Sequence, residues 1–141
     1  MTEPYFDDSG PPAPGRPRFI SPARDITPCL LYPGLRFRPI AAKDVMASFV
    51  WFEPGAPAPQ HRHCELQITI CISGELTVTI SGETQTMGPG DCVVIPPNAD
   101  HEALAGPGGC HAVDIFSPLR QAMLPFMTPE LFIDLEQQSD G

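Results

Sequence analysis

Gln60-His61-Arg62-His63-Cys64-Glu65-Leu66-Gln67 decides how this chain is read, together with Pro96-Pro97-Asn98-Ala99-Asp100-His101 further on. His61 and His63 stand two apart, so on an extended backbone both imidazoles project from one face, and Gln67 keeps the same parity four residues later. Three candidate ligands therefore point one way. His101 ends a Gly- and Pro-punctuated stretch from which a second segment delivers a fourth ligand to the same point. Neutral imidazole is the commonest ligand for Zn, Fe, Ni and Cu, and an amide oxygen completes a set that keeps positions open for water or another molecule.

Working outward, 19 prolines and 12 glycines punctuate the 141 residues so often that long helices are excluded over most of the chain. Short Val/Ile/Thr-rich runs lie between them, which gives an all-β expectation. The length suits one core and is too short for two ordinary domains. Residues 1–17 are acidic and rich in Pro, Gly and Ser and are expected to form a flexible arm, with 18–141 as a single domain.

A formal net charge of −9, with Lys43 the one lysine, excludes a nucleic-acid or anionic-membrane surface as the expected partner. The same field repels an anionic small molecule unless an arginine stands beside its pocket. The first residues lack a basic segment followed by an apolar one, so a soluble cytoplasmic protein is expected. The five cysteines have no metal-finger or CxxC spacing and are read as reduced thiols, with Cys64 turned away from His61 and His63 by its parity.

Arg36–Ala41 and Val45–Phe52 read as strands joined by a turn at Lys43-Asp44, and 53–59 as a stiff loop into the first histidine. Met46, Phe49, Trp51 and Phe52 read as core and interface residues. Gln67, Thr69 and Cys71 alternate with Ile68, Ile70 and Ile72, so a ligand-side face opposes a wholly aliphatic one, and the aliphatic face is expected to be covered, as by a second subunit in a homodimer. Gly74 is expected to close this strand. Strands follow over 75–80, 83–87, 92–95, 101–105 and 110–116, the last two separated by a flexible connection at 106–109. Ser117-Pro118 reads as the start of a short helix through Met123, and Thr128-Pro129-Glu130 as the start of another.

The spacing of Gly55, His61, His63, Gln67 and Gly74 resembles the first motif of the cupin superfamily, with glutamine in place of its glutamate. Gly90, Pro96, Asn98 and His101 resemble the second motif. Asn98 replaces a glycine there, and asparagine is the non-glycine residue most at ease with positive φ. Ala105 replaces an asparagine that often follows. The motifs span about residues 51–116, and the fold the resemblance implies is a double-stranded β-helix, a jelly-roll barrel, with short C-terminal helical segments.

His-x-His-x3-Gln followed by Asp114-Ile115-Phe116-Ser117-Pro118-Leu119-Arg120 resembles the small bacterial cupins that open unsaturated uronate rings in pectin and alginate breakdown. That resemblance implies one divalent transition metal (Zn, Ni, Mn or Fe) on His61, His63, Gln67 and His101, with Asp114, Phe116 and Arg120 lining the pocket. Glutamine for glutamate removes a negative charge beside the ion, which favours Lewis-acid chemistry over oxygen activation. The expected activity is an isomerase- or lyase-type proton transfer on a sugar-acid-like or other oxygenated small molecule, with Asp114 moving the proton and Arg120 holding an anionic group. An Fe-dependent dioxygenase and a non-catalytic small-molecule-binding barrel are the alternatives.

Overall fold

The computed structural model describes residues 4–6, 10–12 and 15–136. The remainder of the expected 1–17 arm lies outside the described residues. Strands β1 (Cys29–Tyr32), β2 (Leu35–Ala42) and β3 (Val45–Phe52) form an antiparallel meander, the last two joined by the expected turn at Lys43-Asp44. β4 (Pro57–His61), β5 (Leu66–Ile80), β6 (Glu83–Met87), β7 (Cys92–Ile95) and β8 (His101–Ser117) follow, and a two-residue β9 (Phe132–Ile133) lies parallel to β2. A one-turn helix α1 (Pro22–Asp25) precedes β1.

Two long strands organise the rest. The first half of β5 pairs with the second half of β8, flanked by β7 and by β3, and the second half of β5 pairs with the first half of β8, flanked by β6 and by β4. Each long strand therefore belongs to two layers and bends where it passes from one to the other, the usual way a corner is made. Ser48, Gln67, Thr69 and Asp114 of one layer and Ala58, Leu76, Val78 and Ala103 of the other line one cavity, so the layers face each other as a jelly-roll does.

This corrects the expectation that Gly74 ends a strand and that 106–109 separates two. Strands β5 and β8 each run straight through, with register shifts between Cys71 and Ser73 and between Gly74 and Leu76. A glycine at a bulge turns a strand without ending it. Gly74 has φ +80° and Gly109 φ +78°, and the two meet at the corner. A Cβ at Gly74 would collide with the carbonyl of Gly109, and one at Gly109 would lie 2.6 Å from the Trp51 ring. Gly74→Ala is therefore expected to cost about 3 kcal/mol or more of unfolding free energy in urea titration, from overpacking and left-handed strain acting together.

The C-terminal segment also departs from expectation. Ser117 still pairs with Leu66, the Ser117–Pro118 peptide is cis, and the helix begins only at Gln121, as a 3-10 turn running to Phe126. A strand partner thus overrides the local helix-start signal. A second 3-10 turn, Pro129–Leu131, follows Thr128. Met123, Met127 and Leu131 from these turns pack with Met46 and Phe116, closing one end of the barrel. Leu35, Val50, Phe52, Leu76, Val78 and Met87 fill the other end.

Outside the larger layer, Ile68, Ile70, Ile115 and Val113 form the aliphatic face read from the sequence, half-buried by one another, while Ile72 and Val94 stand 54% and 58% exposed. Trp51 sits on this outer side against His111, ring centroids 4.5 Å apart, and takes no part in the cavity. All five cysteines are free, with Cys71 and Cys110 buried and their sulfurs 3.8 Å apart. Among the described residues, no helix is long and apolar enough to cross a membrane.

Candidate metal centre

Local contacts bring the two histidine segments together. His61 at the end of β4 pairs with His101 at the start of β8. Between them Arg62 forks onto Asp100, Nε to Oδ1 at 2.8 Å and Nη2 to Oδ2 at 3.1 Å, and the Asn98 amide donates to the His63 carbonyl at 2.7 Å. Asn98 has φ +63°, the left-handed turn for which its amide side chain suits it. Ring nitrogens of His61, His63 and His101 consequently lie within 4.8 Å of one another.

Two of the three rings, His61 and His101, have their tautomer set by a backbone carbonyl. A carbonyl can only accept, so Nδ1–H donates to Pro59 O from His61 (2.7 Å) and to Ala99 O from His101 (2.9 Å), whereas His63 stands between two acceptors, Glu65 O at 3.1 Å from Nδ1 and Gln67 Oε1 at 2.9 Å from Nε2. The Nε2 lone pairs of His61 and His101 are left free, the arrangement that metal-ligating histidines adopt. Burial lowers the pKa of His63, and burial with the neighbouring His61, His63 and Arg120 brings that of His101 down to about 4, so both are neutral near pH 7.

Gln67 is fixed from its other side. Asp114 accepts from the Thr69 hydroxyl at 2.7 Å, so the Thr69 oxygen takes the Gln67 Nε2–H at 2.8 Å. The amide oxygen of Gln67 is thereby turned to within 2.9 Å of His63 Nε2. A neutral His63 has one N–H for two acceptors, Glu65 O and Gln67 Oε1, so one of the contacts sets lone pair against lone pair, and His101 Nε2 is buried with no partner. Two lone pairs in contact and an orphaned buried nitrogen are costly, and a cation between them relieves both. The residues present fit a divalent transition ion.

The chain Gln67–Thr69–Asp114 carries the effect to a carboxylate on the cavity wall. Burial pushes the Asp114 carboxyl up to about 6, against the pull of hydrogen bonds from Thr69 and Gln67. Phe116, two residues on, sets its ring edge-on to His63, centroids 5.7 Å apart. Arg120 lines the cavity as well, half-buried, its Nη1 3.5 Å from Glu65 Oε1. All seven residues singled out in the sequence thus line one cavity of about 300 Å³.

Glu65 escaped the sequence reading. It shares the parity of His63 and Gln67, which was the available signal, but its carboxylate turns toward the C-terminal segment. Its side chain is 1% exposed, with Oε1 3.3 Å from His63 Nδ1 and Oε2 accepting from the Gln121 amide at 3.2 Å. One carboxylate thereby lies between a metal-candidate histidine and the arginine of the pocket, its Oε1 near both and hydrogen-bonded to neither. Replacing Glu65 by alanine strands Arg120 and the Gln121 amide, and thermal unfolding is expected to report a loss of about 1–3 kcal/mol, below the full cost of a broken buried pair because Arg120 reaches solvent.

Comparison with known proteins agrees with this architecture. Residues 48–116 match the model of the cupin domain. An RmlC-like cupin from Shewanella frigidimarina superposes with TM-score 0.70 at 27% identity, covering 79% of this chain and 99% of that one. KdgF from Halomonas sp. superposes with TM-score 0.67 at 33% identity, covering 74% of this chain and 96% of that one. Dimethylsulfoniopropionate lyase DddW from Ruegeria pomeroyi is 32% identical over 69 residues, 49% of this chain, and the chain spans only 45% of that protein's length. With a barrel of this topology, three clustered histidines and near-complete coverage of KdgF at 33% identity, the chain belongs to the cupin family.

Proposed function

We propose that this chain is a metal-dependent enzyme that moves a proton on a small oxygenated carboxylate of the sugar-acid type or a related kind, isomerising it or opening a ring. The observation that carries this reading is a carboxyl group, Asp114, on the wall of the cavity that holds the histidine cluster and tied to Gln67 through the Thr69 hydroxyl. A carboxylate at that place serves as acceptor and then donor of a proton. An ion on His61, His63, Gln67 and His101 supplies Lewis acidity at an adjacent hydroxyl or carbonyl oxygen.

The chain's own residues supply the rest. Arg120 holds the carboxylate of the substrate through its N–H groups and offsets the chain's negative charge. Glu65 and the Gln121 amide keep Arg120 at the cavity, and Phe116 closes the wall beside His63. Asp114 takes a proton from a substrate hydroxyl or acidic carbon and returns it to the neighbouring carbon. The Asp-x-Phe-Ser-Pro-x-Arg resemblance to uronate ring-opening cupins supports these assignments, and the exposed Ile72 and Val94 support a homodimer.

Elemental analysis of purified protein, joined to a screen of hydroxy, oxo and unsaturated carboxylates that includes unsaturated uronates, tests the reading. Loss of conjugated absorbance, or exchange of a carbon-bound hydrogen with solvent, is expected without oxygen uptake. Oxygen consumed in step with product would replace it with the dioxygenase reading, and tight binding without conversion would replace it with a binding barrel.

A further inference from the structure

The cavity is more selective than its metal cluster alone suggests. Leu31, Leu35, Phe37, Phe52, Leu76 and Val78 all line it, and four of these belong to the buried core at one end of the barrel. Away from the histidines the walls are therefore carbon. Polar groups are few and mostly committed: the Gln67 amide and Thr69 hydroxyl are consumed in the chain to Asp114, and Arg120 is partly held by Glu65. What remains inside for a ligand is the second Asp114 oxygen, the other N–H groups of Arg120 and the buried Ser48 hydroxyl, which has no partner. Glu102 and Tyr32, which also line the cavity, are exposed.

From this we infer that the ligand is a small carboxylate with a compact hydrocarbon body, carrying one oxygen function near the carboxylate and not the several hydroxyls of a sugar acid. The inference rests on the metal-and-Arg120 reading above and narrows its substrate class. A cavity of about 300 Å³ holds about ten water-sized atoms. A sugar acid brings a carboxylate and several further oxygens, and those that would face Leu35, Phe52, Leu76 and Val78 lose their water without gaining a donor or acceptor. A hydrocarbon body placed there loses nothing and removes apolar wall from water.

Isothermal titration of the zinc-loaded full chain, metal content measured alongside, with homologous 2-hydroxycarboxylates from three to eight carbons tests this. Affinity is expected to rise about three- to fourfold per added CH₂ until the cavity is full, with galacturonate at least about tenfold weaker than the best of the series. Val78→Thr, which puts a hydroxyl in the apolar wall, is expected to flatten the slope; should it fail to fold, Leu31→Gln at the half-buried rim carries the same expectation. The matching neutral carboxamides separate the two levels of the argument. A slope in both series with carboxylates tighter supports both. A slope in both without carboxylate preference overturns the Arg120 anchor and keeps the hydrocarbon body. A flat series, no binding in either, or galacturonate binding as tightly as the best homologue overturns the inference, even where turnover of another acid is found.

Discussion

His101→Ala is expected to abolish stoichiometric metal uptake. The variant is expected to bind zinc or nickel more weakly than the parent by well over about 100-fold, the upper end of what outer-shell changes alone cost. One atom decides this, His101 Nε2, which is buried, unpartnered and held as a lone pair by the Nδ1 contact to Ala99. At free metal 100 times the parent's Kd, binding stabilises the parent by about 2.7 kcal/mol, and a 100-fold weaker variant gains only about 0.4 kcal/mol. Thermal unfolding with and without metal reads that difference, and an equal metal-induced shift in parent and variant would remove His101 from the centre.

The same residue sets a pH dependence in the metal-free chain. His101 has its pKa lowered from 6.5 to about 4 in the folded state, chiefly by burial, so the unfolded chain takes up the proton first as the medium is acidified. Its neutral form therefore supports folding above pH 6.5, and that support is lost between pH 6.5 and about 4, by about 3 kcal/mol at most. The variant is expected to show a flatter stability profile than the parent over that window.

How much of this was legible in the sequence depends on the range of the interaction involved. His61, His63 and Gln67 share a face because an extended chain has a period of two, and that holds wherever the strand lies. Asn98 was legible for the same reason, since its positive φ is a local requirement. Gly74 and the 106–109 run were misread because a glycine that ends a strand and a glycine that bends one carry the same local signal. What decides is whether a partner strand runs on past it, and for each of β5 and β8 that partner is the other long strand, more than twenty residues away in the chain. Ser117-Pro118 failed as a helix start on the same ground, because Leu66 claims Ser117. The contact of Glu65 with Arg120 and Gln121 joins groups more than fifty residues apart, and only the folded barrel creates it.

Asp114→Asn is expected to lower turnover by about 10²–10⁴-fold while metal content stays unchanged, since an amide cannot carry the proton but can still accept from Thr69. It should also stabilise the metal-free protein, the opposite of what a routine structural substitution does. The folded-state pKa of Asp114 is raised from 3.8 to about 6, so its protonated form favours the native state fully below pH 3.8 and that advantage is lost as pH rises through about 6. At pH 7.5 the native chain carries the cost of a buried carboxylate, at most about 3 kcal/mol and nearer 1–2 kcal/mol where the cavity is wet. Asparagine is neutral throughout, so its gain over aspartate should be absent at pH 3.5, grow between pH 3.8 and 6, and level off above. Urea titrations of the two metal-free proteins across that range measure it. Full turnover by the variant would end the proton-carrier role, whereas lost turnover with a pH-independent stability difference would mean that aspartate acts there through its hydrogen bond to Thr69 and not through a strained charge.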